Sequence, residues 1–182
     1  MSKNRKRILW ITRTGILAAL LVALQWLTAG TQAFAGQYIT GSCVNCVLAV
    51  AALFGGLWSG VTVAVLSPFC AFLLGIGPKL IQIVPCIALG NTALVLCLYF
   101  LLGRRHRVFW QRICGVVISA VVKFAVLYAA VVHVVIPVMG ERLVPKQVQT
   151  FTAMFSWPQL VTAFLGGLAA LLLLPVLRKA LK

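Results

Sequence analysis

The chain has 182 residues, of which 63% are hydrophobic and only 9% charged, with sixteen Lys and Arg against one acid, for a formal net charge of +15. A soluble domain is nearer half apolar and a quarter charged, so this composition excludes a water-soluble globule, a disordered tail and a disulfide-stapled secreted module. It reads as an all-α integral membrane protein, one membrane domain over residues 1–182, embedded in the lipid bilayer.

The positive charges mark topology. Five lie in the first thirteen residues, four between Arg104 and Arg112, and three at Arg178, Lys179 and Lys182. Basic residues in short loops stay on the cytoplasmic side. Three inner clusters require an even number of spans between each pair. A nucleic-acid-reading surface would instead intersperse Lys and Arg with aromatics on one folded face, so no nucleic-acid partner is expected.

A spanning helix needs roughly 20 apolar residues. In chain order the first candidate covers 8–28, with Arg13 near its inner end. The apolar stretch from 40 to 77 is too long for one span. Gly55-Gly56-Leu57-Trp58-Ser59-Gly60 divides it into spans near 40–56 and 58–76. After Gly75-Ile76-Gly77-Pro78-Lys79, a fourth span covers 81–102 and ends at the arginine cluster. A fifth covers 113–137. Residues 138–150, with Glu141, Arg142, Lys146, Gln147 and Gln149, read as an outer loop. A sixth span covers 153–176. Four spans then separate the first and second basic clusters, and two separate the second and third. Both termini fall in the cytoplasm. A competing pattern exists at the start, where a basic end, an apolar stretch and Ala33-Phe34-Ala35 resemble a cleavable secretory signal.

Several absences narrow the function. The sequence has no G-x-x-x-x-G-K-[ST] and no H-E-x-x-H. Its only carboxylate side chain is Glu141. Proton pumps and cation-coupled carriers place acids inside the membrane, and two-carboxylate hydrolysis is impossible. The expectation is a non-enzyme with no cofactor, working as a binding protein or as part of a larger machine. A stand-alone carrier or channel is the alternative. Cys43-Val44-Asn45-Cys46 is a lone CxxC, and a zinc site needs about four ligands, so no metal is expected.

The sharpest residue is Lys123, eleven positions past Arg112, or about 16 Å along the helix axis. A charge at that depth is costly and usually functional. No Asp or Glu in the spans pairs with it. Either its counter-charge is a substrate carboxylate or phosphate, or it is neutral, or it bonds to backbone carbonyls or to Asn91. Asn91 is itself near midplane, as interhelical glue or ligand contact. Ser119 lies one turn before Lys123 on the same face. Gln159 is an amide inside an apolar run, next to Trp157 at the interface. His133, near the outer end of the fifth span, is a weaker candidate, as is Tyr128. Gly15, Ala19 and Ala23 form a small-residue stripe on the first span, the spacing that lets another helix approach closely.

With these residues in view, a resemblance emerges. The basic start followed by Thr12-Arg13-Thr14-Gly15-Ile16-Leu17-Ala18-Ala19-Leu20-Leu21-Val22-Ala23 resembles the opening of S components of energy-coupling factor transporters. Ala51 to Val61 and Pro85-Cys86-Ile87-Ala88-Leu89-Gly90-Asn91 are also similar to that family. The resemblance implies a six-helix subunit of a bacterial plasma membrane that binds a vitamin or similar micronutrient from outside. It implies docking through Ala19 and Ala23 on a transmembrane coupling subunit, with two separate ATPase subunits supplying the energy. The residues themselves point to a small-molecule substrate that is anionic or carboxylate-bearing.

Overall fold

The computed structural model describes residues 3–29, 33–78, 80–103 and 108–180. Gly30 to Gln32 of the first outer turn, Lys79, the Arg104–Arg107 cluster with His106, and Lys182 lie outside them. Among the described residues every regular element is helical.

Helix α1 covers Lys3–Ala29, α2 Ala33–Val50, α3 Leu57–Leu73, α4 Ile83–Leu102 and α5 Phe109–Tyr128. Two short helices follow, α6 at Ile136–Met139 and α7 at Pro145–Met154, before the long α8 at Trp157–Ala180. Five helical stretches are long and apolar enough to cross a membrane, and α3 is a shorter apolar helix. Its 17 residues sit at the lower end of the spanning range. The six long helices and their apolar composition make this an all-α membrane protein.

The α2–α3 reversal follows from local chemistry. Helix α2 widens into a π turn at Ala51–Gly55, and Gly56 at φ 93° turns the chain into α3. That φ is open to glycine and strained for residues with a Cβ. A second π stretch, Ala129–Val135, continues α5 toward α6.

Residues 138–150, expected as a loop, are partly helical. Pro145 sits at the start of α7, where its missing N–H costs nothing. The Gln147 side chain folds back to accept the Val144 N–H at 3.1 Å. Val148, Phe151, Met154 and Phe155 then recur at helical spacing and pack on a core with Ile83, Leu127, Val131 and Leu143. The polar outer face of α7 hides this stripe in the composition.

In the main core α2 lies along α8, α4 packs between α3 and α5, and α1 rests on α2 and α3. The buried residues are mostly small or branched: Leu48, Ala49, Ala51, Ala52, Val63, Ala64, Val95, Ala120 and Ala170. Lipid tails are as apolar as these side chains, so close packing rather than water exclusion holds such helices together. Gly166 shows how close. A Cβ there would lie 2.6 Å from the Asn45 Cβ and 2.6 Å from the Ser42 carbonyl oxygen. The outer surface is greasy, with Ile16, Trp26, Leu73, Leu89, Phe100, Leu172 and Val176 exposed, as lipid-facing residues are.

Candidate functional site

On α5 the buried positions are Gly115, Val116, Ser119, Ala120, Lys123 and Leu127. This is a helical stripe with a lysine in it, so the sequence that folds α5 against α4 and α8 also drives a cation inward. Lys123 is 3% exposed. Its Nζ donates to Asn45 Oδ1 on α2 at 2.6 Å and to Asn91 Oδ1 on α4 at 2.7 Å.

Both amide oxygens must face the ammonium, and a relay sets the Asn45 orientation. Asn45 Nδ2 donates to Thr162 Oγ1 on α8 at 3.3 Å, and Thr162 Oγ1 donates to the Gln159 carbonyl at 3.3 Å. The close α2–α8 contact at Gly166 puts these two helices within reach. Gly41 does the same one turn earlier, where a Cβ would lie 2.9 Å from Thr162 Cγ2.

Above this cluster lies a cavity of about 350 Å³. It is lined by the second half of α1 (Gln25, Thr28), by α2 (Gln37, Thr40, Asn45), the end of α3 with its following turn (Ser67, Phe72, Gly75, Pro78), the first half of α4 (Ile87, Asn91), Lys123, and the α7–α8 junction (Met154, Phe155, Gln159, Thr162). Arg13, Arg112 and Arg178 lie toward the opposite ends of α1, α5 and α8 from this lining. The lining is amides, hydroxyls and apolar side chains around one cation. When charged, the Lys123 amine has three donors and no acceptor, and it spends two of them on the asparagines. Uncompensated burial of such a charge costs several kcal/mol. Neutral amide oxygens offset part of that cost; an anion in the cavity would offset more.

The rim is tied together by amides. Gln37 Nε2 and Gln159 Nε2 both donate to the Met154 carbonyl, at 2.8 Å and 3.2 Å. They satisfy an orphan carbonyl at the end of α7 and hold α2, α7 and α8 together at the mouth.

Of the residues singled out from sequence, Lys123, Asn91 and Gln159 line one cavity. Ser119 is buried on the Lys123 face, but its hydroxyl donates to its own helix at Gly115 O, 2.7 Å away. His133 and Trp157 do not line this cavity. Val131 and Val135 take the inward positions around His133, which is exposed and meets the Tyr128 ring edge-on at 5.5 Å. Trp157 is 65% exposed, because Pro158, Thr162, Ala163 and Gly166 form the inward face of α8. Asn45, Thr162, Gln25 and Ser67 were not singled out. Asn45 carries the same signal as Asn91, an amide in an uncharged apolar run, but sits inside the CxxC.

The small-residue stripe is on the outside. Gly15, Ala19 and Ala23 are exposed, and a Cβ on Gly15 would meet nothing within 4 Å. Ala19 and Ala23 line an apolar groove of about 550 Å³ with Ala18, Val22, Trp26, Leu66, Ser67, Cys70 and Leu74, and Ser67 also lines the cavity.

Among known proteins, a family model described as ECF transporter, substrate-specific component, matches residues 10–178. No curated protein matches the chain, and no solved structure does. With a multi-helix apolar bundle, a buried polar cavity and a match over nearly its whole length, the chain belongs to the family of substrate-specific components of ECF transporters.

Proposed function

We propose that this subunit captures a small, vitamin-like micronutrient carrying a carboxylate or another anionic group, and that Lys123 is its anchor. One observation carries the reading: the buried Lys123 Nζ at the base of a polar cavity donates to two neutral amide oxygens, and no acid reaches it. The sequence offers it no carboxylate, since Glu141 is the only acid.

The cavity faces the side opposite the basic clusters, which is the outer side by the positive-inside rule. Capture from outside a bacterial plasma membrane, with both termini in the cytoplasm, accords with that placement. The chain has no nucleotide-binding motif of its own. Delivery then rests on a transmembrane coupling subunit and two ATPase subunits. The exposed stripe of Gly15, Ala19 and Ala23, the two alanines lining the outer groove, is the surface that supports docking on the coupling subunit, because small residues allow close helix approach.

Uptake by cells expressing the chain with and without the coupling and ATPase subunits tests this reading. The expected result is accumulation only with the full set. Equal accumulation by the chain alone would make it a stand-alone carrier.

A further inference from the structure

The end of the bundle opposite the cavity holds a second polar recess. A cleft of about 30 Å³ opens where the end of α4 (Leu102, Gly103), the start of α5 and the end of α8 meet the π turn after α2, and Arg112 and Arg178 both line it, with Leu53 and Pro175. Arg112 is there because of its helical phase. It lies one turn before Val116 on the same face, and Val116, Ser119 and Lys123 continue that face into the core. The stripe that buries α5 therefore carries Arg112 into the end of the bundle, where it is half-buried. Among the described residues its guanidinium makes no hydrogen bond and no ion pair. Arg178 makes one long contact, donating from Nη2 to the Leu53 carbonyl at 3.4 Å. A guanidinium carries five N–H donors, so most of the donors in this cleft are unused.

Two like charges in one recess repel each other unless an anion lies between them. The chain has no acidic side chain for that role. Its one acid, Glu141, lies between α6 and α7, past the far end of α5. The counter-charge therefore comes from outside the chain, and the surroundings say of what kind. Trp110 on α5 and Leu172 and Val176 on α8 flank the arginines and are exposed. The cleft thus opens where a lipid-facing apolar surface gives way to the basic end of the bundle. Phospholipid headgroups sit at this level, and basic recesses between helices on the cytoplasmic side hold anionic ones.

We propose that Arg112 and Arg178 form a binding site for the phosphate group of an anionic phospholipid, in the leaflet on the basic side of the bundle. The planar guanidinium fork matches phosphate oxygens bidentately, and the two forks come from α5 and α8, which pack on each other. A bound phosphate bridges these two helix ends. The site shares no lining residue with the Lys123 cavity and does not depend on which substrate that cavity takes.

The test is native mass spectrometry of the full chain in detergent, titrated with phosphatidylglycerol and, separately, with phosphatidylcholine. The variants are Arg112→Gln and Arg178→Gln. Lys179→Gln is the control, since Lys179 is an exposed cation in the last turn of α8 outside the cleft lining. Thermal unfolding with and without phosphatidylglycerol is read on the same preparations. A further arm adds inorganic phosphate to the lipid-bound protein.

The expected result is one phosphatidylglycerol held about tenfold more tightly than phosphatidylcholine, a higher melting temperature when it is bound, and no displacement by inorganic phosphate. Arg112→Gln and Arg178→Gln each weaken the lipid about tenfold, the worth of a charge-assisted hydrogen bond. Lys179→Gln changes it less than about twofold, as a solvated surface charge does. Arg112→Gln decides the matter if Arg178→Gln also loosens the fold through Leu53. Its guanidinium holds no other described part of the chain, so its melting temperature without lipid stays that of the wild type. Equal retention of the two lipids, wild-type retention by Arg112→Gln, or equal losses in Arg112→Gln and Lys179→Gln overturn the site. A fall in the lipid-free melting temperature of Arg112→Gln overturns it too, by making the arginine a cap on helix ends. Displacement by inorganic phosphate makes the cleft a soluble-anion site and overturns the lipid.

Discussion

Lys123 and Asn45 stand 78 residues apart in the chain and 2.6 Å apart in the fold. Their contact joins α5 to α2 at the base of the cavity, and the Asn91 oxygen closes it from α4. Two neutral acceptors and no acid leave the Lys123 amine without a counter-charge. The predictions below follow from that incomplete compensation.

Lys123→Met should remove substrate retention by a hundredfold or more, since a charge-assisted hydrogen bond is about twice as strong as a neutral one. The fold should persist. The loss of a buried charge stabilises, while two stranded amide oxygens each cost about 1–3 kcal/mol, and the two effects oppose each other. Thermal unfolding of the purified variant, run beside the retention assay, checks both halves.

Asn45→Asp should act in the opposite sense on stability. It places a carboxylate within 3 Å of the ammonium and supplies the missing counter-charge from within. The melting temperature of the empty protein should rise, and retention of an anion should fall at least tenfold. A variant that binds as tightly as the wild type would mean that Lys123 meets no anion.

Gly166→Ala tests the α2–α8 contact that brings Asn45 to Thr162. The new methyl lies 2.6 Å from two atoms of α2, and overpacking of this kind costs about 1–3 kcal/mol. A lower melting temperature is expected, with weaker retention because Asn45 loses its orientation. Gly15→Ala, where there is open space, should leave both unchanged.

Ala19→Trp with Ala23→Trp should fill the outer groove, which shares only Ser67 with the cavity lining. Substrate retention by the isolated chain should be unchanged, and co-purification with the coupling subunit should be lost. An intact complex from this double variant would place docking elsewhere.

Much of the fold is legible in the sequence, because long apolar runs broken by charge and glycine are strong signals. Helix α7 is the exception. Its Lys146, Gln147, Gln149 and Thr150 dominate the local composition, and only the spacing of Val148, Phe151 and Phe155 reveals it. The site is legible in part. Lys123, Asn91 and Gln159 stand out as polar groups in apolar runs, and the cavity brings them together. Gln25 and Asn45 carry the same signal but sit beside louder features, a presumptive signal pattern and a CxxC. His133 and Trp157 show the limit of position along an axis. A helix that is apolar all round gives little phase information, so depth in the membrane can be read while the facing direction cannot. The Asn45–Thr162 relay depends on α2 lying against α8 across 117 residues of chain, which no local pattern encodes.

The most direct measurement is the chemical identity of what the wild-type chain retains. Tandem fragmentation of the small molecule released from the native complex reads its functional groups. The account predicts a carboxylate, phosphate or comparable anion, absent from the Lys123→Met preparation. A neutral or cationic molecule, retained equally by that variant, would contradict it.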